Sequence, residues 1–87
     1  MEYKGIALEG LQRLYAAAVV EVENEKAEMS LEWCDSYGDK VKILSYNLIF
    51  DFTQPNQEER VKKVLSFATK EALLEEMQEV AQFFEAH

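Results

Sequence analysis

Seventeen carboxylates, one cysteine and one histidine are the first candidates for bases, nucleophiles or metal ligands in this 87-residue sequence. Histidine is the usual general base near neutral pH. His87 stands at the final position, where a side chain is rarely held rigidly enough for catalysis. Cys34 would need a nearby cation or base to form a thiolate. Its neighbours are Trp33 and Asp35, and an adjacent acid works against ionisation, so a structural or idle thiol is expected. Glu71, Glu75 and Glu79 recur at intervals of four, which places three carboxylates on one helix face. Di-iron helical sites need Glu-x-x-His motifs on facing helices, and none is present. Glu32, Asp35 and Asp39 gather near Gly38 without the ligand spacing of an EF-hand, so a solvated turn is expected there. The three glycines are scattered and form no phosphate loop, and there is no Gly-x-Ser-x-Gly turn. The residual enzyme reading is a general-acid pair drawn from Asp and Glu, or Cys34. The expectation is a protein with no catalytic set, no metal and no cofactor.

The carboxylates are gathered into two blocks. Residues 21–39 hold seven acids (Glu21, Glu23, Glu25, Glu28, Glu32, Asp35, Asp39) against Lys26 alone. Residues 71–87 hold five (Glu71, Glu75, Glu76, Glu79, Glu85) and no base. Residues 40–70 carry +3 and residues 1–20 are neutral, within a net charge of −8. Such a surface is repelled by nucleic-acid phosphate and by anionic lipid, and its favoured partners are basic.

The length sets one domain, residues 1–87, with no room for a second core. A hydrophobic content of 48% argues for a folded chain despite the charge. One cysteine excludes an internal disulfide. No signal peptide is visible at the N-terminus. The longest apolar run, Leu14–Val20, falls far short of a membrane span. A cytoplasmic protein is expected.

Certain elements must position these acids. Leu8, Leu11, Tyr15, Ala18 and Val22 recur at three and four, which predicts a helix from about residue 6 to about residue 22, with Asn24 as a left-handed cap. The β-branched pattern Val20–Glu21–Val22–Glu23 offers the start of a strand as the alternative at the helix end. In Glu28–Cys34, Met29, Leu31 and Trp33 alternate with Glu28, Ser30 and Glu32, as in a half-buried strand. A turn at 36–39 is expected to use Gly38 at positive φ. A long strand follows, with Leu44, Tyr46, Leu48, Phe50 and Phe52 on one face and a bulge near Leu44. Thr53–Gln57 reads as a loop, residues 60–67 as a third strand, and the segment after Thr69 as a helix. Its expected core stripe is Leu73, Met77, Val80 and Phe84. The fold class is α+β in the order α-β-β-β-α: a three-stranded antiparallel meander with two helices on one face.

On that frame, Glu71, Glu75 and Glu79 form a helix ridge with no cation after Lys70, beside Glu76 and Phe83. An aromatic ringed by carboxylates is a natural anchor in an interface. The competing reading packs Phe83 on the first helix or a loop. A second patch comprises Glu28 and Glu32 on the open sheet face, with Asp35 and Asp39. Arg60 and Lys62 share that phase and are expected to neutralise part of it, at about 0–1 kcal/mol per surface pair. In size, acidity and inferred element order, the chain resembles some phage-encoded inhibitors of bacterial defence, including certain anti-CRISPR proteins. That resemblance is one of architecture over the whole chain. It implies a non-catalytic inhibitor that occupies the basic nucleic-acid-binding surface of a partner protein. The alternative is a small cytosolic accessory or regulatory domain, with an edge strand as a route to a homodimer and charge serving solubility.

Overall fold

The computed structural model of the protein describes residues 1–86, so His87 lies outside the described residues. The chain begins with strands. A small hairpin of β1 (Glu2–Tyr3) and β2 (Ile6–Ala7) precedes β3 (Arg13–Val22) and β4 (Glu25–Met29). Then come α1 (Leu31–Tyr37), a short 3₁₀ turn (Gly38–Lys40), β5 (Lys42–Asp51), β6 (Lys62–Phe67) and α2 (Lys70–Ala86). The four longer strands form one antiparallel sheet in the order β4-β3-β5-β6. The class is α+β as expected, but the α-β-β-β-α order is not what the chain adopts.

The first correction is β3. Residues expected in a helix form a central strand, paired with β4 on one side and β5 on the other. Its Ala16–Val20 run is apolar on both faces, and Ala17 and Ala18, which point to opposite sides, are both buried, so the sequence shows no alternation there. Leu14, Ala16, Ala18 and Val20 share the face of Phe50, Leu48 and Tyr46, while Tyr15, Ala17 and Val19 point the other way. Alanine on both faces left the three-four spacing legible by accident. Gly10, at φ +82°, lies outside helical geometry. Glu23 and Asn24, at φ 52° and 69°, form the two-residue turn that suits a twisted hairpin. Asn24 is left-handed, as expected, but in a hairpin turn.

The second correction follows directly. The expected strand at Glu28–Cys34 ends at Met29, because the Ser30 hydroxyl accepts the Trp33 N–H at 3.1 Å and starts α1. Gly38 closes that helix at φ −61° rather than at positive φ. The bulge near Leu44, the strands β5 and β6 and the helix after Thr69 lie where they are expected. The β3–β5 register shifts between Val19 and Val20, where Ser45 and Ile43 are the partners and Leu44 is the extra residue. Leu48 pairs with Leu65 and Tyr46 with Phe67. Thr53 Oγ1 accepts the Val61 N–H at 2.8 Å and closes the loop between β5 and β6.

The core lies on the Leu48–Phe50 face of the sheet. Leu73 and Val80 of α2 cover it, together with Tyr3 and Leu8 from the N-terminal segment, and Leu31 of α1 packs at its margin. Phe50 and Leu73 are fully buried. The sheet's two edges are charged, with Glu25, Lys26 and Glu28 on β4 and Lys62 and Lys63 on β6. Such edges resist pairing with other strands.

Candidate functional site

α2 starts where the sequence says it should. The Thr69 hydroxyl accepts the Ala72 N–H at 3.1 Å, and Glu71 sits in the first turn, where the helix dipole favours an acid. Its buried residues are Leu73, Glu76 and Val80, with Phe83 half-buried beside them. The helix is therefore rotated from the expected stripe. Met77 and Phe84, expected in the core, are exposed. Phe83 packs edge-on against the Tyr3 ring, 5.2 Å between centroids, as the competing reading had it, although the support is the N-terminal hairpin. It is not an exposed anchor.

The rotation carries Glu76 into the interior. This carboxylate is 5% exposed, which is costly for a charge without partners. It accepts a hydrogen bond from the Tyr3 hydroxyl and another from Lys4 Nζ at 2.6 Å. Burial pushes its carboxyl upward, but the bonds from Lys4 and Tyr3 outweigh this and hold it below the usual carboxylate range. Burial, reinforced by the bond to Glu76, pushes the Tyr3 phenol up to about 12. The bonds to Glu76 and Glu79 raise the Lys4 ammonium, with Glu76 the larger cause. Glu76 thus fastens the hairpin to α2 and does not belong to the solvent-facing acids.

Those acids are Glu71, Glu75, Glu79 and Glu85, all exposed. Lys4 also reaches Glu79, at 3.1 Å. Among the described residues, no cation forms an ion pair with Glu71, Glu75 or Glu85. Between α2 and β6 lies a shallow depression of about 440 Å³, whose lining includes Phe67, Ala72, Glu75, Glu76 and Glu79. Comparison with protein-family models, curated proteins and solved structures finds no match. The element order on which the resemblance to phage-encoded inhibitors rested is also not the observed one.

The second acidic block is dispersed. Glu28 lies on edge strand β4 opposite Val19, Glu32 in the first turn of α1, and Asp39 in the 3₁₀ turn. Glu28 and Glu32 therefore do not share a strand face. β4 and β6 are opposite edges of the sheet, so Arg60 and Lys62 are not cross-strand partners of Glu28. Lys62 instead donates to the Tyr15 hydroxyl at 2.7 Å. Asp35 pairs with Lys70 at 2.6 Å, which ties α1 to the start of α2. Of the nine residues picked from the sequence, α2 gathers Glu71, Glu75 and Glu79 into one solvent-facing row. Lys4 and Tyr3, which complete the Glu76 cluster, carried no signal of that role in the sequence.

Reactive chemistry is sparse around these groups. Burial, and then the charge of Asp35, push the Cys34 thiol up, with Lys70 opposing. Among the described residues, no three His, Cys, Asp or Glu side chains converge as metal ligands, and no helix is long and apolar enough to cross a membrane.

Proposed function

We propose that the protein is a non-catalytic acidic binding protein, an inhibitor whose α2 carboxylates occupy the nucleic-acid-binding surface of a basic partner. The observation that carries this reading is the row Glu71, Glu75 and Glu79, joined by Glu85, in which Glu79 alone forms an ion pair among the described residues, with Lys4. At 1.5 Å per residue the three carboxylates span about 12 Å of a helix fixed by its own cap and core. Proteins that bind nucleic acid present Lys and Arg to phosphates. A rigid row of carboxylates can take the phosphates' place, and its rigidity spares the entropy of ordering a flexible chain. Like charges four residues apart repel by a few tenths of a kcal/mol, a cost that a helix kept for stability alone would avoid with lysine.

The test is capture of a partner from bacterial lysate by the immobilised protein. A nucleic-acid-binding protein should be retained, released by salt and displaced by nucleic acid. The Glu71→Lys/Glu75→Lys variant should lose it while remaining folded. A partner indifferent to nucleic acid, or one held equally by the variant, refutes the reading.

A further inference from the structure

We infer that the segment this protein receives from its partner is a basic amphipathic helix, seated along an apolar shoulder of α2. The inference rests on the acidic-surface reading above and names the chemistry of the partner. Eight large hydrophobic residues are exposed among the described residues, and three of them, Leu74 (41%), Met77 (36%) and Phe84 (38%), lie on this one helix. With Ala81 they recur at intervals of three, four and three. That is the a/d spacing of a coiled-coil seam, about 15 Å long at 1.5 Å per residue. The seam is separate from the core contact, which uses Leu73, Glu76, Val80 and Phe83. α2 therefore has two apolar faces, and the sheet and hairpin occupy only one.

Charge selects the occupant. On the solvent side the seam is bordered by Glu71, Gln78 and Glu85, spaced by seven, in the position whose charges choose partners in helix pairs. Among the described residues, neither Glu71 nor Glu85 forms an ion pair, and Lys70, beside Glu71, pairs with Asp35. A second copy of α2 laid antiparallel on this seam would set carboxylates against carboxylates. A helix with apolar residues at a/d spacing and Lys or Arg beside them satisfies both the seam and its border. Ala81, between Met77 and Phe84, lets the two backbones approach closely.

The probe is a labelled synthetic helix of about three heptads with Leu at a and d and Lys elsewhere. It is compared, by fluorescence anisotropy at near-physiological salt, with a scrambled peptide of the same composition. The patterned peptide should bind at least about tenfold more tightly than the scrambled one. Met77→Lys, at an already exposed position, should remove that preference while circular dichroism and thermal stability stay unchanged. Equal binding of the two peptides, or an unaffected Met77→Lys protein, overturns the inference. A dimer of the native protein that Met77→Lys dissolves overturns it in favour of a second copy. The two readings fail separately. If Glu71→Lys/Glu75→Lys loses the lysate partner and Met77→Lys keeps it, the acidic surface stands and the helical occupant falls. If neither variant changes capture, both fall.

Discussion

Replacing Tyr3 with Phe isolates a single hydroxyl in the cluster that fastens the hairpin to α2. The ring and its neighbours remain: Phe50 at 6.1 Å and Phe83 at 5.2 Å between centroids. What disappears is a donor to a carboxylate that is 5% exposed. A hydrogen bond to a charged group contributes about 1.5–3 kcal/mol. In a domain of this size each kcal/mol moves Tm by roughly 4–8 °C, so Tyr3→Phe should lower it by roughly 10 °C. Urea unfolding at pH 7 measures the loss directly, with an unchanged m-value showing that the native state is intact. Glu76→Gln should cost a similar amount, and the double variant less than the sum by about 1 kcal/mol or more. The acid limb has a definite sign. Glu76 is held low in the folded state, so its contribution is complete above the unfolded-state value of about 4.3 and is lost as pH falls through the lower folded value. The gap between native protein and Tyr3→Phe should therefore shrink towards pH 3. At the alkaline end, Tyr3 is raised to about 12, so its contribution is full below pH 10 and is lost as pH rises through 12. A Tyr3→Phe protein within 0.5 kcal/mol of native at pH 7 (about the scatter among surface substitutions), or strictly additive variants, would refute the buried clasp.

Other perturbations separate stability from binding. Glu75→Lys converts two repulsive contacts into i,i+4 pairs with Glu71 and Glu79, and should stabilise the fold by about 0.5 kcal/mol while weakening partner capture. A simultaneous loss of stability would mean that Glu75 has a structural role. Glu23→Asn places a residue tolerant of the left-handed region where φ is 52°, and should raise stability by roughly 0.5 kcal/mol in chemical denaturation. Cys34 should react with a thiol reagent at pH 7 more slowly than an unhindered cysteine, and Asp35→Asn should speed it modestly; fast labelling of the native protein contradicts its raised thiol.

The parts of the fold legible in the sequence are those whose signal is local. The alternation of β5 and its bulge at Leu44 could be read because Ser45, Asn47 and Asp51 alternate with Tyr46, Leu48 and Phe50. The cap at Thr69 could be read because its partner is three residues away. β3 is hard to read because Ala16–Val20 is apolar on both faces, and its alanines fit helix and strand alike. At Ser30 a local cap signal was present but lost to the alternation of Met29, Leu31 and Trp33. The site was half legible. Glu71, Glu75 and Glu79 follow from helical spacing alone. The rotation that buries Glu76 and Phe83 and exposes Met77 and Phe84 depends on Tyr3 and Lys4, whose positions in space no local pattern encodes. A glutamate inside a helix reads as solvent-facing until its distant partners are known.

The Tyr3–Glu76 and Lys4–Glu76 contacts join residues 73 and 72 positions apart. During synthesis the hairpin emerges early but cannot be fastened until most of α2 has been made. At about 5–20 residues per second, that interval is roughly 4–15 s. Through it, Leu8 and the Leu48–Phe50 face lack the helix that covers them. α2 thus sets when the domain completes its core as well as what its outer surface presents. Substitutions on its inner side should slow productive folding, whereas substitutions along its outer side should leave that timing unchanged.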